Sequence, residues 1–397
     1  MTRVENKVIV WSIDDFNTLG LMRELGNADL DMLFLIKGHA GMAARSKYCK
    51  QYVETASIED GFRYLLENHT AEVCKPILII SSDEIITFVD QHKEEFEKHF
   101  IIPGTCEKGN VEKYIDKNTM TALAEEIGIL CPASRAVTKE SDISGTEYPC
   151  LIKPSHQKPG HYNEFKFKIC KNERVLKRTL RFVRPDSEFI LQQYIPKKLD
   201  LLVYGGRMWD GNTVFAGAFI RDRWADSGSS SHGYLTAQIP QCADTAKICE
   251  FLERIGYYGL FSVEYGLLDD KAYFFEINLR NDGTSHYFYQ AGANIPLAYV
   301  YSAAGLDYSH IPTTVEGENR FVDELYDVEN VLTGKVSYKQ WKQDKAQATI
   351  FKYYDREDPV PCEIEKKRMP KQILQDIILK RFRVYVVFVL DKIGVGK

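Results

Sequence analysis

The 397-residue sequence has no C-x-x-C pair. Its nine cysteines are scattered from Cys49 to Cys362 and are odd in number. That excludes a disulfide framework or a cysteine zinc site and reads as reduced thiols in the cytoplasm. Long apolar runs are also missing. The longest, VYVVFVL from Val384 to Leu390, is far short of the roughly 20 residues a bilayer span needs. The opening, MTRVENKVIVWSIDD, has no basic n-region, apolar core and cleavage site, so no signal peptide is expected. There is no excess of positive charge. A net charge of -5 rules out a chain-wide footprint for nucleic acid, and no nucleic-acid partner is expected. The first strand-to-helix turn, SIDDFNTLG, lacks G-x-G-x-x-G, so a dinucleotide fingerprint is absent.

What is present is an ordinary globular balance, 44% apolar and 27% charged. The length suits two or three domains at about 100–200 residues each. The N-terminal part reads as alternating strands and helices. Strands are expected at Val8 to Ile13, Leu33 to Ile36 and Ile77 to Ile80. Helices are expected around Leu21 to Leu25, Gly61 to Leu66 and Glu84 to Phe100. This alternation implies a parallel sheet covered on both faces. Residues 111–132 form a connecting helical segment, with N-cap chemistry at Asp116 and Asn118.

A β-rich part follows. Pro149 to Ile152 runs into Lys153-Pro154, Phe165 to Ile169 alternates apolar and basic, and a helix over Asn172 to Val183 precedes a strand at Phe189 to Tyr194. One hairpin turns at Trp209-Asp210-Gly211-Asn212, and another pairs Leu260 to Leu267 with Ala272 to Ile277 across Asp269-Asp270. The small polar run Asp226 to Gly233 predicts a mobile loop.

In FFEINLR, Glu276, Asn278 and Arg280 stand two apart and face one side of an extended strand. Phe275, Ile277 and Leu279 face the other. The partner strand would carry Glu264. Two carboxylates and an amide oxygen on neighbouring strands make a hard-oxygen site suited to Mg²⁺. The bland alternative is a solvated edge with a surface ion pair. Lys153 ends an apolar strand before the polar loop SHQKPGHYNEF, where it could pair with phosphates. Gln192-Gln193-Tyr194-Ile195-Pro196 ends a strand whose backbone could meet a purine.

The segments DKNTMTALAEEIGILCP, YPCLIKP, FILQQYIPKKLD and FSVEYGLLDDKAYFFEINLR together resemble the ATP-grasp superfamily over about residues 8–310. Within it the chain looks most like carboxylate-amine ligases of the D-aspartate ligase group. Ser46-Lys47-Tyr48-Cys49, Ser82-Asp83-Glu84 and VSYKQWKQDKAQATIFKYYDREDPVP favour that branch. The resemblance implies an α/β fold with a Rossmann-like pre-ATP-grasp domain at 1–110, an ATP-grasp domain at 111–310 and a C-terminal extension at 311–397. It implies ATP and one or two Mg²⁺ ions, or Mn²⁺. Lys117 and Lys153 would bind the phosphates. Gln192, Gln193, Tyr194 and Ile195 would bind the adenine, and Asp200 the ribose. Glu264, Glu276 and Asn278 would hold the metal. Arg280 would face the transferring phosphoryl group, and Arg221 and Arg223 would help hold the acid. The covering loop, Ser155 to Glu164, departs from the family pattern in having only Gly160.

The activity implied is ATP-dependent joining of a carboxylate to an amine through an acyl phosphate, in cell-wall or surface-polysaccharide synthesis. Substrates would be small molecules or lipid-linked. Two other readings stay open: a regulatory ATP-binding module without catalysis, and a small-molecule kinase of the same fold. The loops at 155–164 and 226–233 are candidate lids. Of the histidines, His232 and His286 are the ones placed to take part. The tail from Pro370 carries a stripe of Ile373, Leu374, Ile377, Ile378 and Phe382 among basic residues. It reads either as a helix and strand packed on the core or as a peripheral contact with the inner face of a membrane. The oligomeric state is not legible.

Overall fold

The computed structural model describes residues 3–155, 165, 167–184, 187–225, 228–371 and 373. The continuous apolar runs near the N-terminus form β1 (Val8–Ser12), β2 (Met32–Lys37) and β4 (Ile77–Ile80), with β3 (Tyr52–Thr55) at the edge. All pairings are parallel, in the order β3-β2-β1-β4. The sequence reading missed β3. It is short, and only Thr55 of its four residues is buried, so it carries neither an apolar run nor alternation. Four helices cover the sheet: α1 (Phe16–Gly26), α2 (Ile58–His69), α3 (Asp83–Gln91) and α4 (Lys93–His99). The single helix expected over 84–100 breaks into two at His92. The strand order puts a switch point between β1 and β4, where the carboxyl ends of the strands open a crevice.

After β5 (Gly104–Thr105), α5 (Asn110–Ile115) and α6 (Lys117–Glu126) form the connection, and the Asp116 side chain caps α6. A four-stranded antiparallel sheet follows, in the order β6-β9-β7-β8. Its elements are β6 (Ser134–Val137), β7 (Cys150–Pro154), β8 (Lys168–Cys170), α7 (Glu173–Arg181) and β9 (Phe189–Gln193). Both predicted hairpins then appear in a larger sheet. It holds β10 (Leu199–Arg207), β11 (Thr213–Trp224), β12 (Ser230–Thr236), β13 (Tyr257–Leu268) and β14 (Lys271–Asn278), with α8 (Thr245–Arg254) between β12 and β13. Next come α9 (Ser285–Gln290), α10 (Ile295–Ala303), β15 (Glu318–Val322), α11 (Val328–Leu332), α12 (Tyr338–Gln347) and β16 (Ile350–Phe351). The sheet is eight-stranded, β14-β13-β10-β11-β12-β15-β16 with β5 beside β13.

Two expectations need correction. From Ser230 the supposed mobile loop is strand β12, paired with both β11 and β15. Its small residues serve close packing: Ser231 is fully buried, and a Cβ on Gly233 would lie 2.3 Å from the Ile220 carbonyl oxygen. Residues 226–227 lie outside the described residues. The second correction concerns the FFEINLR strand. A β-bulge at Phe275 lets Glu276 face Glu264 while Tyr265 faces Phe274. Phe274, not Phe275, therefore joins Ile277 and Leu279 in the core.

The sheets differ in how they are anchored. One face of the parallel sheet packs through α1 into a core shared with Tyr204, Phe219, Tyr287 and Phe288 of the eight-stranded unit. The other face has its own core around Trp11, Phe96 and α3. The four-stranded sheet has a separate small core of Val137, Ile152, Leu176, Leu180 and Phe189. No helix among the described residues is long and apolar enough to cross a membrane. The covering loop at 156–164 and the tail beyond 373 lie outside the described residues; Ile373 itself is buried.

Candidate active site

The hairpin β13–β14 sets Glu264 directly opposite Glu276, and Ser262 opposite Asn278. The bulge beside them lets both carboxylates share one face, as bulges next to active sites commonly do. Two partly buried carboxylates on adjacent strands repel each other, so the site must gather positive charge. It does so from three directions. Lys117, the first residue of α6, donates from Nζ to Glu276 Oε2 at 2.9 Å. The helix is pressed on β14, with the Ile277 amide 3.3 Å from Met120 Sδ. Arg221, on β11, donates from Nη2 to Glu264 Oε2 at 2.8 Å. The third is Lys153, on β7 of the four-stranded sheet, which has Lys117 and Glu276 as charged neighbours.

The charges follow from this geometry. Burial pushes the Lys153 ammonium down to about 8, with the neighbouring Lys117 adding to the effect and Glu276 opposing it. Burial raises the Glu264 carboxyl above its usual range, with Glu276 and Asp282 adding to it against Arg221. Burial would also raise Glu276, but Lys117, then Lys153 and Arg280, hold its carboxyl below the usual range. The hairpin therefore carries unequal carboxylates.

The remaining expected residues are placed as follows. Gln192 is buried on β9 between β6 and β7, opposite Ser134 and Leu151. The Gln193 amide donates to the Ala133 carbonyl at 2.8 Å. Tyr194 is half-buried and Ile195 buried, and the Ile195 carbonyl accepts from the Lys197 amide at 2.7 Å. Asp200 is buried on β10 opposite Arg221 and pairs with Lys197. Asn278 donates to Ser262 Oγ at 3.1 Å, leaving its amide oxygen turned toward Arg280 Nη2 at 3.5 Å. Arg280 binds Asp83 of α3 through two nitrogens.

Arg223 donates from Nε and Nη2 to Asp327 at 2.9 and 2.7 Å, and from Nη1 to Asp344 at 2.9 Å. That guanidinium ties β11 to α12 and the turn before α11. His232 lies on β12 with Nδ1 2.6 Å from Asp222 Oδ1. His286 is fully buried against α1, with Nε2 3.4 Å from Arg23 Nη1. Sequence reasoning did not foresee Asp83 as the partner of Arg280, nor Asp282 beside Glu264. Asp83 and Arg280 stand 197 residues apart, so no local spacing could have joined them.

Among the described residues, no three His, Cys, Asp or Glu side chains converge as a self-sufficient metal cluster. The donor set of Glu264, Glu276 and Asn278 nevertheless fits Mg²⁺, which takes hard oxygens and is commonly held by one or two carboxylates together with substrate phosphates.

A parallel α/β unit, a small antiparallel lobe carrying Lys153 and a large sheet carrying the paired carboxylates make up the ATP-grasp fold. The chain is similar to the D-aspartate ligase of Enterococcus faecium, with 25% identity over 259 residues, 60% of this chain and 61% of that protein. The match thus spans less than two thirds of that relative's length. Among solved structures, N5-carboxyaminoimidazole synthetase from Staphylococcus aureus, crystallised with ADP, aligns with a TM-score of 0.65 at 13% identity over 86% of this chain and 89% of that one. An L-amino acid ligase from Bacillus licheniformis aligns with a TM-score of 0.60 at 13% identity over 79% and 78%. No family model matches the chain.

Proposed function

We propose that the protein is an ATP-dependent carboxylate-amine ligase. The observation that carries this reading is the Glu264/Glu276 pair ringed by Lys117, Lys153 and Arg221. Such an arrangement suits two anions that must meet, a carboxylate and the γ-phosphate of ATP. The similarity to a D-aspartate ligase and the fold shared with an ADP-bound synthetase support it.

In this reading Lys117 and Lys153 bind the phosphates. Gln192 to Ile195 line the adenine and Asp200 the ribose. Glu264, Glu276 and Asn278 hold one or two Mg²⁺ ions, which supply charge neutralisation at the transferring phosphoryl group. Arg280 faces that group and Arg221 the acid. Phosphoryl transfer asks for positioning and electrostatic support more than covalent help. The acid oxygen takes the γ-phosphoryl group, giving an acyl phosphate and ADP. The amine nitrogen then bonds to the acyl carbon, the C–O bond to phosphate breaks, and the amine proton leaves to solvent. Residues 1–110, 111–310 and 311–397 would be the pre-ATP-grasp unit, the catalytic unit and the extension. A lipid-linked acceptor at the inner face of the membrane would suit a surface-polymer pathway.

Phosphate release across a panel of acids and amines tests this reading. A ligase needs both partners for sustained turnover. Release with one acceptor alone would favour a kinase. ATP binding with no release under any pairing would favour a regulatory module.

A further inference from the structure

Among the described residues, the parallel α/β unit meets the Arg280 guanidinium through the Asp83 side chain. Asp83 is the first residue of α3, just beyond the carboxyl end of β4, at the edge of the switch-point crevice. Arg280 Nε donates to its Oδ1 at 2.6 Å, and Nη2 to its Oδ2 at 3.2 Å. Arg280 Nη1 donates to the Asn281 carbonyl at 3.0 Å, and Nη2 also lies 3.5 Å from Asn278 Oδ1. Four of the five guanidinium N–H groups are engaged in these contacts, and one Nη1 N–H is not among them. A planar fork gripped on two edges has one remaining direction in which to donate.

The backbone beside it is held by the same unit. The Asn281 amide donates to the Ile80 carbonyl at 3.1 Å, at the end of β4. Asn281 Nδ2 donates to Asn17 Oδ1 at 2.8 Å, and Asn17 Nδ2 returns a bond to the Asn281 carbonyl at 3.1 Å. Tyr204 completes this buried knot with a 2.7 Å bond to Asn281 Oδ1. The knot and the shared apolar core already dock the two units. The Asp83 carboxylate, 54% exposed, adds little to docking, since exposed ion pairs typically contribute about 0–1 kcal/mol. What its two-point grip supplies is orientation: a long arginine side chain otherwise samples many rotamers.

We infer that Asp83 is the positioning residue for Arg280, so that the parallel unit aims the guanidinium at the transferring phosphoryl group. The inference rests on the phosphoryl-transfer reading above. It does not depend on which acid or amine is used.

The test measures affinity of the full chain for Mg·ADP, alone and with aluminium fluoride, which mimics the transferring group. In the wild type, aluminium fluoride should tighten ADP binding. In D83N, at least about tenfold of that gain should vanish, a fraction of what one preorganised donor typically contributes. ADP affinity alone and the thermal midpoint should stay near wild type, and D83E should recover part of the gain. In an R280K background, D83N should cost nothing further. Full retention of the gain in D83N overturns the positioning role. So does a loss that runs parallel with lost ADP affinity and stability, or an undiminished D83N effect in R280K. A wild-type chain with no gain removes the phosphoryl-transfer reading itself, and the inference with it.

Discussion

The two halves of the site are built on different foundations. The carboxylates sit on a sheet that shares the core on one of its faces with the parallel unit through α1, Tyr204 and Phe288. Lys153 sits on a small lobe with a core of its own. A lobe with few buried apolar contacts of its own opens at lower free energy than an element sharing a large core. The carboxylate half is therefore the more firmly anchored of the two, and in the proposed reaction the lysine half would supply the grip on phosphate. Damage to the first should appear in the rate, and damage to the second in affinity.

The largest effect should come from Glu276→Gln. The substitution keeps the volume and removes one charge from a pair opposed across the hairpin. Turnover in the phosphate-release assay should fall by about 10²–10³, the usual loss for one electrostatic stabiliser in a closed site. The thermal midpoint should hold, because the carboxylate belongs to no apolar core. An unchanged rate at saturating Mg²⁺ would make Glu276 a surface group.

Next is Arg223→Met, which tests the frame rather than the chemistry. Asp327 has no exposed surface and depends on Arg223 for two bonds. Stranding a buried carboxylate typically costs about 3 kcal/mol or more. Denaturant unfolding should show that loss, with turnover per folded molecule falling less than tenfold. A large rise in KM for the acid at unchanged stability would put Arg223 at the substrate site.

Much of this frame was legible in the sequence. VIVWS, MLFLI and ILII announced buried parallel strands, and the Asp-Gly and Asp-Asp turns announced the two hairpins. Asp269 and Asp270 do adopt the left-handed conformation a tight turn demands, with φ of 47° and 60°. The alternation in FFEINLR pointed to Glu276, Asn278 and Arg280. What failed was whatever depends on distant partners. The Ser-rich β12 has no apolar signature of its own and becomes a strand because β11 and β15 flank it. The bulge at Phe275 leaves no mark in composition. Asp83 and Asp327 carry meaning only through arginines far along the chain.

Lys153→Met should act on affinity. A hydrogen bond to a charged group typically contributes about 1.5–3 kcal/mol, so ATP should bind at least tenfold more weakly, with a smaller change in turnover at saturation. Fluorescent-nucleotide titration reads this directly. Equal affinity for ATP in the variant would move the phosphate site away from the small lobe. A rate loss matching that of Glu276→Gln, with affinity intact, would erase the distinction between the two halves.

The smallest effect is a pH dependence that belongs to the lysine half alone. Burial, reinforced by Lys117, lowers Lys153 to about 8 in the folded chain. Below that pH the ammonium is charged and can meet a phosphate. Above it the free protein carries a neutral amine, and binding ATP must draw a proton from solvent. ATP affinity should therefore fall by a few fold as pH rises from 7.5 to 9. Calorimetry in two buffers of different ionisation enthalpy should register proton uptake near pH 8.5. The stability contribution has the opposite sign. The unfolded chain keeps this proton up to its ordinary value of 10.5, so between about 8 and 10.5 it binds more protons than the folded chain. Stability attributable to Lys153 should rise with pH across that window. Lys153→Met should abolish both the proton uptake and this slope, whereas Asp83→Asn, which acts on the carboxylate half, should leave both in place.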